Sequence, residues 1–168
     1  MKKFIIFPII LFSFFLLNCE KDDICEESTP TTPRLVINFY DADDPTVLKP
    51  VTQLAILAEG FSNSVGVYNG VSTVSIPLKT NELTTRYNFI FNSTDTDNDN
   101  WDTVEFNYST NNVYISRACG FKSNFTLDET NPIVLTDAGT LDGLWIESIS
   151  VNQPNIQNED ETHVNIYF

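Results

Sequence analysis

The chain has 168 residues, 42% of them hydrophobic and 12% aromatic, with 9 Lys and Arg against 23 Asp and Glu and a formal net charge of −14. A surface this acidic repels nucleic acid and anionic lipid, and nothing in the sequence forms a basic footprint for phosphate. Aromatic and β-branched residues are too plentiful for a disordered chain, and the length suits one domain with its own core.

The amino terminus carries a localisation signal. Lys2 and Lys3 precede an apolar run from Phe4 to Leu17, interrupted by Pro8 and Ser13. A bilayer-spanning helix needs about 20 residues, so the run reads as the core of an export signal and not as a permanent span. The segment Leu16-Leu17-Asn18-Cys19 that follows resembles the bacterial lipobox, in which a thiol becomes a thioether to diacylglycerol. Asn18 departs from it, standing where that motif has Gly, Ala or Ser. The resemblance implies removal of residues 1–18, lipidation of Cys19 with palmitate or related acyl chains, and a membrane as the first partner. Glu20-Lys21-Asp22-Asp23 resembles the Lys-Asp-Asp signal that directs lipoproteins of Bacteroidetes to the outer face of the outer membrane. That implies cell-surface exposure, with an anchor facing the periplasm as the alternative.

Once Cys19 is lipidated, Cys25 and Cys119 are an even pair in an exported protein, which favours a disulfide over two free buried thiols. The loop it closes is worth about 4–5 kcal/mol in the chain-entropy model. No C-x-x-C spacing or Cys/His cluster supports a redox motif or a zinc site. Geometry follows from the bridge as well. Cys25 pinned to the domain limits the free tether to a reach of about 20 Å from Cys19, against about 55 Å if the tether runs loose to Leu35. Residues 19–33 are acidic and then Pro-rich (Ser28-Thr29-Pro30-Thr31-Thr32-Pro33), the composition of an extended tether to a single domain at 34–168.

From Leu35 onward the apolar pattern has period two. Leu35, Ile37 and Phe39 alternate with Val36, Asn38 and Tyr40, and Leu54–Ala58 forms a second run. Val74, Ile76 and Leu78 share a face, as do Tyr87, Phe89 and Phe91, then Val104, Phe106 and Tyr108. The segment Thr110-Asn111-Asn112 predicts a hairpin turn leading to a strand over Asn112–Ala118. Phe121, Ser123, Phe125 and Leu127 make another inward face, followed by Ile133–Leu135, Leu144–Val151 and the closing Val164, Ile166 and Phe168. Asn69-Gly70 and Asp142-Gly143 mark further turns. The pattern predicts an all-β chain, an antiparallel β-sandwich of roughly nine or ten strands. An outer-membrane barrel is disfavoured, because its strands need about 9–11 residues to cross lipid.

The start Cys19-Glu20-Lys21-Asp22-Asp23-Ile24-Cys25 and the segments Tyr68-Asn69-Gly70-Val71-Ser72, Ile76-Pro77-Leu78-Lys79-Thr80 and Val113-Tyr114-Ile115-Ser116-Arg117-Ala118-Cys119-Gly120 resemble an uncharacterised family of flavobacterial lipoproteins, a domain of unknown function. The resemblance implies envelope location and architecture, and no assigned chemistry. Recurrence of the second cysteine and of Ala118-Cys119-Gly120 in that family supports the bridge.

Candidate sites are few. Asp95, Asp97, Asp99 and Asp102 form the densest carboxylate cluster, and alternating carboxylates suit calcium, which takes 6–8 oxygens. The cluster departs from the EF-hand loop, with Asn100 in place of its glycine, Glu105 one position early and strands as flanks. A solvated loop is the plainer reading. Trp101, placed in that loop, is the candidate ligand-stacking residue, whereas Trp145 belongs to the core. Asp102-Thr103-Val104 resembles the Bacteroidetes O-glycosylation motif, which implies Thr103 as acceptor. His163, the only histidine, alternates outward beside Asn165 and Tyr167. No nucleophile elbow, phosphate loop or dinucleotide fingerprint accompanies it, so no enzyme is expected. The expected role is that of a membrane-anchored envelope lipoprotein, structural or engaged in an outer-membrane protein complex, without a cofactor other than calcium. A glycan- or calcium-binding surface module is the alternative.

Overall fold

A computed structural model describes residues 24–138 and 143–168. The expected export signal at 1–18, the expected lipidation residue Cys19 and Asp142 of the expected Asp142-Gly143 turn lie outside the described residues. Two compact units are distinguished: one contains residues 30–113 with 122–168, the other the chain up to residue 29 with 114–121.

Every regular element among the described residues is a strand. They are β1 (Leu35–Tyr40), β2 (Leu54–Ala58), β3 (Gly66–Tyr68), β4 (Thr73–Ile76), β5 (Thr84–Phe91), β6 (Asn100–Ser116), β7 (Gly120–Leu127), β8 (Ile133–Asp137), β9 (Ser148–Val151), β10 (Asn155–Ile156) and β11 (Val164–Tyr167). One sheet has the order β4-β1-β11-β9 and the other β10-β7-β6-β5-β2-β3, with β8 also paired to β6. Neither sheet closes on itself, so the fold is an all-β sandwich and not a barrel.

The core follows from the period-two pattern. Leu35, Ile37, Phe39, Val74, Ile76, Val164 and Ile166 of the first sheet pack in one cluster with Leu54, Ile56, Phe89, Val104, Phe106, Phe125 and Leu127 of the second. Each is at most 3% exposed, and burial of such a side chain stabilises by about 1.5–3 kcal/mol.

Four expectations are corrected. The pairing is not wholly antiparallel: β1 and β11 run parallel, with Ile37 opposite Val164 and Phe39 opposite Ile166. Parallel neighbours need a long connection, and here nearly the whole domain lies between them. No turn falls at Thr110-Asn111-Asn112. β6 runs unbroken through them, and the chain reverses after Ser116, with Gly120 in the left-handed region at φ +71°. Asparagine permits a turn without compelling one, and no residue of β6 beyond Tyr108 is buried, so the alternation that marks a strand fades there. Phe121, expected inward beside Ser123 and Phe125, is 68% exposed, because the 114–121 segment has no second sheet within its own unit. The predicted strand over Leu144–Val151 shortens to β9. Two strands, β3 and β10, are too brief to leave a periodic signal.

The last residues of the segment expected as a tether make contacts with the strands. Pro33 is buried, and Thr32 Oγ1 accepts a hydrogen bond from the Ser123 amide at 3.0 Å.

Candidate functional site

The acidic segment is built for local structure. Asp95 accepts the Asp97 amide at 3.2 Å through one oxygen and the Asn98 side-chain amide at 2.9 Å through the other. Asp99 accepts the Trp101 indole N–H at 2.6 Å. Asp102 faces the opposite way. It shares the inward face of β6 with Val104 and Phe106, is 0% exposed, and its Oδ2 accepts the amides of Trp145 at 3.1 Å and Ile146 at 2.8 Å. The four carboxylates are therefore not brought together as the calcium expectation required. No group of three or more His, Cys, Asp or Glu able to hold a metal exists among the described residues. Spacing concealed the split, because Asp95–Asp99 occupy a loop while Asp102 obeys strand alternation.

Trp101 sits on β6 and not in the loop, half-buried on the face away from Asp102. Thr103 is half-buried too, and its hydroxyl donates to Asn88 Oδ1 at 2.7 Å. Trp145 packs against the core, stacked on Phe91 with centroids 5.2 Å apart, and donates its indole N–H to the Phe89 carbonyl at 3.0 Å.

His163 corrects a further expectation. It is 0% exposed and not outward-facing. It precedes β11, where its amide donates to the Val36 carbonyl at 3.0 Å while its Nδ1 accepts the Val36 amide at 2.9 Å. An accepting Nδ1 places the proton on Nε2, so the ring is neutral. Burial holds its pKa below 6.5 despite the opposing pull of Glu161 and Glu159. The ring thus extends the β1 ladder and offers no accessible base.

A cavity of about 380 Å³ opens beside the β2–β3 connection, lined by Ala58, Phe61, Val65, Pro77, Leu78 and Tyr87 among others. Three hydrogen bonds hold the backbone of its Pro77–Lys79 wall. Tyr87 donates its hydroxyl to the Pro77 carbonyl, Tyr108 donates to the Lys79 carbonyl at 2.8 Å, and Thr85 Oγ1 accepts the Lys79 amide at 3.0 Å. Burial, followed by the neighbouring Tyr108 and Tyr68, pushes the Tyr87 phenol up to about 12. The cavity offers apolar contact, and its Tyr87 phenol stays protonated near neutral pH.

In the smaller unit, Cys25 and Cys119 form a disulfide with Cα atoms 4.9 Å apart. Thr29 Oγ1 lies 3.7 Å from the Cys119 sulfur, and the Cys119 amide donates to Ser116 Oγ at 3.0 Å, which closes the reversal between β6 and β7. Tyr114 and Phe121 meet edge to face at 5.3 Å between centroids.

Residues 53–168 match the model of a family of unknown function (DUF6452). The chain belongs to that family. Comparisons with curated proteins and with solved structures return no match. Within this DUF6452 chain the matched region takes in Asp102, His163, the cavity and Cys119, while Cys25 lies before it. The cavity leaves only one trace in the sequence, Phe61 and Val65 flanking the polar stretch Ser62-Asn63-Ser64.

Proposed function

We propose that this DUF6452 chain is a lipid-anchored protein of the bacterial cell envelope, held through Cys19 at the outer membrane and exposed at the cell surface, with a structural or protein-interaction role and no catalysis. One observation carries the reading: the two cysteines that remain beside the lipobox-like Cys19 are joined to each other. Disulfides persist in oxidising compartments outside the cytoplasm, so the bridge and the export signal point the same way. The use of Asp95, Asp99 and Asp102 as hydrogen-bond acceptors within the fold supports a scaffold over a reaction centre.

Expression of the full chain beside Cys19→Ala in a Bacteroidetes host tests this. The parent chain is expected in the outer-membrane fraction, with its first residue Cys19 carrying diacylglycerol, and open to protease on intact cells. Cys19→Ala is expected to lose the acyl groups and leave that fraction. A retained leader with an unmodified Cys19 thiol, read by mass spectrometry, overturns the proposal. For the partner, crosslinking on intact cells is expected to capture one outer-membrane complex reproducibly.

A further inference from the structure

The tip of the β6–β7 hairpin exposes Tyr114 by 58% and Phe121 by 68%, paired edge to face, in a chain whose net charge is −14. Arg117 is the sole charged residue between positions 114 and 121. Ile24, 70% exposed, adjoins Cys25, whose Cα lies 4.9 Å from that of Cys119 in the same tip. We propose that this aromatic tip seats in the interface of the bilayer that holds the lipid anchor; the proposal rests on the anchoring of Cys19 set out above.

The length of chain between anchor and bridge supplies the argument for that occupant. Six Cα–Cα steps separate Cys19 from Cys25, so the tether spans at most about 20 Å. The disulfide transfers this limit to Cys119, and Phe121 lies two residues further along the chain, on β7. A thioether at the headgroup–acyl boundary thus keeps both rings within a short reach of lipid. Their chemistry suits that boundary: two ring bodies that gain from leaving water, one phenol able to keep a hydrogen bond, and one guanidinium able to reach the headgroups. Association is intramolecular once the acyl chains are inserted, so two rings suffice where a free protein would need a larger apolar surface. The rest of the chain, being acidic, gives anionic lipid no competing contact.

Photolabelling tests the seating. The full, lipidated protein is placed in phosphatidylethanolamine vesicles whose acyl chains carry a diazirine, and adducts are mapped by mass spectrometry. Adducts on Tyr114 and Phe121 are expected, with none on the comparably exposed Phe61 and Leu83, and with loss of tip labelling in the Tyr114→Ser, Phe121→Ser variant. Flotation of the same sample reads the anchor separately. Protein that floats but is labelled only in the peptide bearing Cys19 overturns the seating and leaves the anchor standing. Floated protein whose tip is unlabelled and which runs as a dimer after treatment with a soluble protein crosslinker overturns it in favour of self-association. Protein that does not float overturns both readings.

Discussion

His163 shows how a single ring is committed by its neighbours. Its Nδ1 must accept from Val36, so a second ring proton would set two N–H groups against each other, in a place where charge is already disfavoured by burial. The folded state therefore binds this proton more weakly than the unfolded chain does. The stability that results is present above the ordinary value of 6.5 and is lost as pH falls through that value toward the lower folded one. Denaturant midpoints measured from about pH 7.5 down to about pH 5, before most carboxylates titrate, are expected to fall for the parent chain. His163→Asn keeps an acceptor without titrating, and its midpoint is expected to stay flatter over the same window. The sequence pattern gave His163 the wrong side, because alternation was extended one residue past the strand that supports it.

Between elements, Asp102 is the tie. It joins β6 to the Trp145–Ile146 stretch through two backbone amides, and that stretch carries the ring that stacks on Phe91 and meets Phe168 edge to face. A hydrogen bond contributes about 0.5–1.5 kcal/mol net, and loss of the shared acceptor leaves two backbone donors unsatisfied at about 1–3 kcal/mol each. Asp102→Ala is expected to destabilise by about 2–4 kcal/mol, measured by denaturant titration, with the near-ultraviolet circular dichroism of Trp145 altered before global unfolding. Asp102→Asn retains an accepting oxygen and is expected to cost less. An Ala variant as stable as the parent would show that the tie is dispensable. The inward faces of β1, β4, β5 and the first half of β6 were legible from spacing alone. The continuation of β6 through Asn111 and Asn112 was not, since both of its outer faces are polar there and turn chemistry outvoted a vanished alternation.

For the molecule as a whole, the bridge between Cys25 and Cys119 constrains a sequence separation of 94 residues. Long loops lose the most unfolded-state entropy on closure, and removal of such a bridge typically costs about 2–4 kcal/mol. Cys119→Ser is expected to lower the melting temperature relative to the parent and to open the segment between Thr29 and Leu35 to protease. The same variant without either change would mean that the bridge neither stabilises nor holds the tether. The acidic excess meanwhile concerns solubility and partner choice, not the fold.

Strand content, the composition of the core and the pairing of two cysteines could be read without coordinates, because alternation and cysteine parity are properties of chain order. The parallel seating of β1 beside β11, the inward turn of Asp102 and His163, the apolar cavity and the exposed rings of Tyr114 and Phe121 could not. Each depends on what stands opposite a residue once the sheets have paired, and neighbours distant in the chain leave no trace in local spacing.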